Sequence, residues 1–332
     1  MITVAWLRLP IPIASLILGG FSFLVTFFLT PYFIDKFKKA GITGKDMNKK
    51  DKPEVAEMGG VAIIAGFVAS LLPAISVSTG GLLVNLLALL SVTLLVSTIG
   101  IFDDVLGKLG GIKKWQHTIL PLIASFPLIA LRVGNHSLRI PIVGTVDFGL
   151  LYPFILIPLG ITCAANATNM LAGLNGLNLS LTGIISATLG IVGIIRGNAF
   201  VATISFALTG AILAFLYYNW YPAKIFPGDT GTLGVGAIIA TIVIIANLER
   251  IGVLLFTLFI IEFFLKARSR FQAESFGEPQ EDGTLKPRYE KIYSLTHLVM
   301  NMGSFTEKQV TIILIIAQAL LSTGVLAYVL YL

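Results

Sequence analysis

Charge, cysteine and histidine are what this sequence has least of. Asp, Glu, Lys and Arg make up 12% of its 332 residues, about half the ~25% of a water-soluble domain. Such a chain cannot cover a water-facing surface of ordinary size. The one cysteine, Cys163, excludes an internal disulfide framework and a thiolate zinc cluster, and reads as a small apolar residue inside a helix. Of the three histidines, His117 and His136 stand in no motif. The start lacks a basic cluster followed by a small-residue cleavage site, so its apolar run reads as a full span rather than a signal peptide. No internal repeat is visible, which argues against the repeat-built transporter folds.

What the chain does have is apolar length. It is 56% hydrophobic, with a mean hydropathy of +0.90. A helix of about 20 apolar residues spans a bilayer, and only helices or closed barrels satisfy their backbone in lipid. The runs are continuous rather than alternating, so the expected class is all-α: one polytopic integral membrane domain over 1–332. About ten spans are expected, near 11–34, 58–77, 82–101, 117–133, 149–165, 179–195, 199–217, 231–247, 251–267 and 309–331. The 33 glycines fit close helix packing in lipid.

Ten spans put loops 35–57, 102–116, 166–178, 218–230 and 268–308 on one face. Arg8, Arg132, Arg139, Arg196 and Arg250 fall on the other, and the remaining 18 of 23 Lys and Arg on the first. Positive loops stay cytoplasmic, so both termini are expected outside, in a cytoplasmic or ER-type membrane. The net charge of +6 is then a topology and anionic-surface signal, and no nucleic-acid partner is implied.

Four polar blocks interrupt the apolar text, all on the basic face. Asp103-Asp104 ends the third span; adjacent carboxylates repel unless a cation offsets them, and Lys108, Lys113 and Lys114 follow. The plain reading is a solvated loop start. The run Asn166-Ala-Thr-Asn169-Met-Leu-Ala-Gly173-Leu-Asn175-Gly176-Leu-Asn178 has four amides and two glycines without a charge. Amide oxygens ligate hard cations and amides pair with both edges of a base, whereas an ordinary turn needs fewer polar groups. In Tyr218-Asn-Trp-Tyr-Pro222 the aromatics suit a membrane-interface belt. Asp229, entering an apolar helix between Gly228 and Gly231, reads as functional. In the first loop, Lys45–Glu57, the lysines could be an anchor, but Glu57 beside Gly59-Gly60 stands at the mouth of a span. The long late loop carries Arg288, Lys291 and His297 as candidate phosphate or sugar contacts, against the plain reading of a solvated hairpin. Asn135-His136-Ser137 matches a glycosylation acceptor on the outer face.

With these blocks in this order, the chain resembles the polyprenyl-phosphate N-acetylhexosamine-1-phosphate transferases. The likeness runs along almost its whole length. Asn166–Leu177, Tyr218–Pro222, Gly228-Asp229-Thr230 and the Gly-Xaa-Asp-Xaa-Asn-Lys run at 44–49 are most like the dolichyl-phosphate N-acetylglucosamine branch of archaeal and eukaryotic type. The resemblance implies a ten-span enzyme that moves a sugar 1-phosphate from a UDP-N-acetylhexosamine to a polyprenyl or dolichyl phosphate. It implies Mg²⁺, with Mn²⁺ as a substitute, held by Asn169 and Asp229. It places Asn175 and the backbone near Gly173 on uracil, Phe226 on the ring and Glu57 nearby. Asp103, Asp104 and Lys113 would surround the lipid phosphate and the attacked phosphorus, and a homodimer is compatible. Two departures leave the sugar open. Lys286–Lys291 replaces the branch's Pro-Arg-His-Arg type of run, and His297 stands alone where the peptidoglycan branch has a cluster.

Elementary chemistry supports such a transfer. A phosphate monoester has a second pKa near 6, so a lipid phosphate is mostly dianionic at neutral pH. It needs charge neutralisation and alignment, which is most of phosphoryl-transfer catalysis. The rivals are UDP-MurNAc-pentapeptide as donor, a cation-coupled transporter and a lipid-binding scaffold. A transporter would hold its polar groups near the midplane, not at one set of helix ends, and a scaffold would not need all four blocks.

Overall fold

The computed structural model describes residues 3–4, 9–107, 114–140 and 144–331, the side chains of 3–4, 114, 115, 117, 139 and 140 excepted. Thirteen α-helices carry the described chain: α1 Ile11–Lys39, α2 Gly60–Val77, α3 Gly80–Leu106, α4 Lys114–Ala124, α5 Phe126–Ala130, α6 Ile157–Met170, α7 Leu177–Ile195, α8 Ala199–Asn219, α9 Gly228–Ile245, α10 Glu249–Leu255, α11 Thr257–Ala267, α12 Leu295–Met300 and α13 Glu307–Tyr331. Eight are long and apolar enough to cross a membrane, counting α6 with the π-helical turn Tyr152–Leu156 before it. The molecule is a polytopic, integral membrane protein.

Two of the ten expected spans are pairs of shorter helices. The segment expected at 117–133 is α4 and α5, with Pro121 inside the first and Pro127 opening the second; proline removes a donor and clashes with the preceding turn. The segment expected at 251–267 is α10 and α11, meeting at Phe256. The expected eighth span is continuous as α9.

The bundle is built around α9, whose apolar window is 89% buried, against 33% for α1 and α13. α3 and α6 lie along α9, while α1 and α7 pack on α8. Glycine makes two of these approaches possible. A Cβ on Gly100 of α3 would lie 2.5 Å from the Thr230 backbone, and one on Gly60 of α2 would meet the backbone of Gly231. The first turn of α9 is thus gripped by the ends of two neighbours.

Four small antiparallel sheets decorate the helix ends: β1 Thr3–Val4 with β2 Leu9–Pro10, β3 Thr43–Lys45 with β4 Glu54–Ala56, β5 Ser137–Ile140 with β6 Gly144–Asp147, and β7 Gly277–Pro279, β8 Thr284–Pro287 and β9 Phe305–Thr306 in that order. Ala56 at the end of β4 bridges in parallel to Ile225, and Phe226 donates to the Ala56 carbonyl at 2.7 Å. That added rung fixes where Phe226 and the start of α9 sit.

Candidate active site

Seven chain segments converge on one cavity of about 410 Å³ at a single end of the bundle. They are the β3–β4 hairpin with Glu57 after it, the C-terminal ends of α3, α8 and α11, the Asn/Gly segment 169–178 that closes α6, the start of α9 and the late stretch 274–276. Its described carboxylates are Asp46, Glu57, Asp104, Asp229 and Glu274, and its amines Lys45 and Lys266.

The start of α9 is the best-defined part. A helix N-terminus leaves N–H groups unsatisfied and carries partial positive charge. Asp104 of α3 supplies the missing acceptor. Its Oδ1 accepts from the Asp229 N–H at 2.7 Å, and its Oδ2 from the Thr230 N–H at 3.0 Å and the Thr230 hydroxyl at 2.6 Å. Both carboxylate oxygens are therefore engaged in capping α9 from outside. Gly228 turns the chain at φ +64°, and a Cβ there would lie 2.6 Å from an Asp104 oxygen. Asp229, in the first turn of α9, lines the cavity. Three residues on and so on the same face, Thr232 donates to Asn169 Oδ1 at 3.1 Å. Asp104, Asn169 and Asp229, far apart in sequence, thus form one constellation.

Asn175 is the hub of a second, largely buried network. It is 4% exposed. Its backbone N–H donates to Glu307 Oε1 at 2.8 Å, and its Nδ2 to Asp46 at 2.9 Å and Glu307 at 2.6 Å. Its Oδ1 accepts from the Ala223 N–H at 3.2 Å. Lys49 reaches both acids, Asp46 at 2.8 Å and Glu307 at 2.5 Å, and lies 4.2 Å from the Tyr221 ring centroid. Burial works against the Lys49 charge, but Glu307 and Asp46 outweigh it and raise its pKa above the ordinary lysine value. Asn48 ties two more segments: its Nδ2 donates to the Gly173 carbonyl at 2.7 Å and its Oδ1 accepts from Gly277 N–H at 2.9 Å.

The expected residues divide cleanly. Glu57, Asp104, Asn169, Gly173, Asn175, Phe226 and Asp229 line the cavity. Asp103 is half-buried and not among the described lining residues, and Lys113 lies outside the described residues. The three expected contacts from the late loop do not line the cavity either. Arg288 pairs with Glu274 at 2.5 Å, and Lys291 is exposed. His297 is buried in α12 with Nε2 3.2 Å from the Phe276 carbonyl. Burial pushes its pKa down, the Phe276 carbonyl opposes that, and the charges of Lys266 and Arg288 push the same way as burial. In their place the late segment offers Glu274, Ser275 and Phe276, with the Ser275 hydroxyl on the Met170 carbonyl at 3.0 Å. Sequence reasoning missed Lys266 and Glu307. Both are ionisable residues at the edge of apolar helices, the signal that singled out Asp229.

A cavity with paired carboxylate and amide oxygens on a helix N-terminus suits a hard cation together with an anionic ligand. Among the described residues no three His, Cys, Asp or Glu side chains cluster as a self-sufficient metal site. Any ion held there would need further oxygen ligands from outside these side chains.

The model of glycosyl transferase family 4 matches residues 86–247, from α3 to just past α9. A Saccharolobus solfataricus protein provisionally named a UDP-N-acetylglucosamine–dolichyl-phosphate N-acetylglucosaminephosphotransferase is 39% identical over 295 residues, 88% of this chain and 90% of that one. Its Sulfolobus acidocaldarius namesake is 38% identical over 90% of each chain. A Clostridium perfringens phospho-N-acetylmuramoyl-pentapeptide-transferase is 38% identical over 49% of this chain and 54% of its own. The first two matches extend over about nine-tenths of each chain, and on that breadth of similarity the chain belongs to glycosyl transferase family 4.

Proposed function

We propose that this transferase moves N-acetylglucosamine 1-phosphate from UDP-N-acetylglucosamine to a dolichyl-type polyprenyl phosphate, releasing UMP, on the cytoplasmic face of its membrane. The observation that carries this reading is the joining of Asp229, Asn169 and the capped start of α9 in one cavity beside an apolar groove. That groove, about 400 Å³, is lined by α6, α9, α10 and α11, with Phe256, Phe259 and Phe263 along one wall. The lipid chain would lie there and the nucleotide sugar in the polar cavity. GlcNAc rather than a muramoyl donor is supported by the two relatives matched over nine-tenths of their length. The muramoyl enzyme matches over about half.

Asp229 and Asn169 are the residues that would hold Mg²⁺, and Mn²⁺ has the same oxygen chemistry; when bound, it neutralises charge on the donor pyrophosphate. The protein's own part is positioning. Asp104 fixes the first turn of α9, and so the Asp229 side chain. The network through Asn175, Asp46, Lys49 and Glu307 holds the Asn/Gly segment, whose backbone near Gly173 would meet uracil, with Phe226 and Glu57 beside it. A lipid phosphate oxygen attacks the donor β-phosphorus; that P–O bond forms as the bond to the α-phosphate's bridging oxygen breaks, and UMP leaves with the electron pair. Asp103 and Lys113 would stand at the acceptor phosphate. Full engagement of the Asp104 oxygens with α9 favours this direct route over an aspartyl-phosphate on that residue. In the ten-span reading of the sequence eighteen of the 23 cationic residues fall in loops on the cavity's side, which supports a cytoplasmic orientation with both termini outside.

The test is turnover by purified protein in detergent with Mg²⁺ and a short polyprenyl phosphate. UDP-GlcNAc, UDP-GalNAc and UDP-MurNAc-pentapeptide are offered separately while UMP and lipid-linked sugar are measured. Product with UDP-GlcNAc alone is expected. Release of UMP from none of the three would remove the reading, and preference for another donor would reassign the sugar.

A further inference from the structure

Lys266 has no role in the chemistry above, yet it stands where the apolar groove meets the polar cavity. It is 5% exposed and lines the cavity from the last turn of α11. Phe259 and Phe263 line the groove, and the spacing 259, 263, 266 places all three on one helical stripe. α6 makes the same passage: Gly160, Ala164 and Ala167 line the groove, and Met170, next on that stripe, lines the cavity. At 1.5 Å rise per residue, the step from groove to cavity is only about 3 to 5 Å along either axis.

A lysine at that seam is costly unless its charge is used, because ionisable groups at the ends of membrane helices are desolvated by their neighbours. Protein groups balance its charge but leave much of its hydrogen-bonding unused. Among the described residues the ammonium makes one hydrogen bond, 2.7 Å to the Ala273 carbonyl. It also forms a buried ion pair with Glu262 at 3.8 Å, beyond hydrogen-bond distance, and Glu274, another residue of the cavity wall, acts on it electrostatically. An ammonium has three donors, so hydrogen-bonding capacity beyond the Ala273 bond is left for a ligand. Of the two described amines on the cavity wall, only Lys266 sits on a groove-lining helix.

We propose that Lys266 receives the phosphate of the lipid acceptor at the point where its chain leaves the groove, and so selects a prenyl phosphate over the free prenol. This rests on the lipid-phosphate acceptor proposed above. The ammonium offsets the headgroup's charge while the stripe of phenylalanines guides the chain. Any phosphate shares this chemistry, so the test separates the lipid's phosphate from the donor's.

Full-length protein in detergent is titrated with a short polyprenyl monophosphate and with the matching polyprenol, following thermal stabilisation. Wild type and Lys266→Arg should be stabilised by the phosphate and not by the alcohol, and Lys266→Met should lose that distinction. In turnover, Lys266→Met should raise KM for the lipid phosphate about ten-fold or more and leave KM for UDP-GlcNAc unchanged. A purely structural lysine would raise both KM values together, and a donor-phosphate contact would raise only that for UDP-GlcNAc; either result overturns the proposal. So does a wild type that binds phosphate and alcohol alike, or a Lys266→Met protein that keeps the preference. Should Lys266→Met fail to fold, Lys266→Gln, which keeps a donor for Ala273, carries the same comparison. If wild type makes no product from any donor, the transfer reading falls while the binding preference still judges Lys266.

Discussion

Two cavities of nearly equal volume, about 410 and 400 Å³, lie end to end along α6 and α11 and share none of their lining residues. One is lined by five carboxylates, two lysines and five side-chain amides. The other is apolar apart from Tyr152 and Glu249 at its far end, which satisfy each other at 2.5 Å. Their difference teaches where each kind of sequence information resides. The apolar groove is made of residues that would be buried or lipid-facing in any helical membrane protein; Gly160 leaves space in it, and Gly252 lets Val243 of α9 pack close to α10. The polar cavity is made of residues that only segments remote in sequence can satisfy.

The sharpest way to break the contrast is to remove the ion-holding pair. Asp229→Ala and Asn169→Ala should each lower kcat by about a hundred-fold or more while size-exclusion profile and thermal midpoint stay close to wild type. Near-normal turnover in either would take that residue out of the proposed site. Next in size is Glu307→Gln, which removes one of the two charges that hold Lys49 and weakens the grip on Asn175. KM for UDP-GlcNAc should rise about ten-fold with a smaller change in kcat; a rise in KM for the lipid instead would place the network beside the acceptor.

On the apolar side, Gly160→Leu should fill the groove near Ile244, whose Cδ1 lies 3.6 Å from a Cβ built there. A several-fold rise in KM for a long polyprenyl phosphate, and little for a short one, is expected on the loss of about one buried isoprene's contacts. Equal effects on both lengths would mean that the chain runs elsewhere. The smallest effect concerns His297. Its pKa is held below the ordinary value near 6.5, so the folded state prefers the neutral ring. Stability from this preference is present above about pH 6.5 and is lost as pH falls through the lower folded value. The thermal midpoint should therefore drop between about pH 7 and pH 5, and less so in His297→Gln. Equal slopes in the two proteins would separate the acid sensitivity from this residue.

Much of the site could be read from the chain because its polar blocks stand out against apolar helices. Asn169, Asp229, Glu57 and Phe226 are where that reading expected them, at one end of the bundle. Arg288, Lys291 and His297 stand off the cavity wall, which the sequence could not foresee: a cation in a polar loop looks the same whether it faces a ligand, an ion-pair partner or solvent. The same reading missed Lys266 because a lysine closing an apolar helix also reads as an ordinary membrane anchor, and Glu307 because its partners, Asn175 and Lys49, lie more than a hundred residues away. The expected count of ten spans shares this limit. Hydropathy measures total apolar length, whereas the breaks at Ser125 and Phe256 depend on local backbone and packing.

By itself the amino-acid order determined that this is a helical membrane protein and that its polar blocks stand at the ends of apolar helices. Both follow from transfer free energies and charge, which each segment carries wherever it lies. Only tertiary structure decided how those blocks are used: Asp104 as the cap of α9, Asn175 as the knot between loops, Lys266 as the cation at the seam of two cavities. A hydrogen-bonding group's role depends on which partner reaches it first, and here the partners arrive from distant parts of the chain.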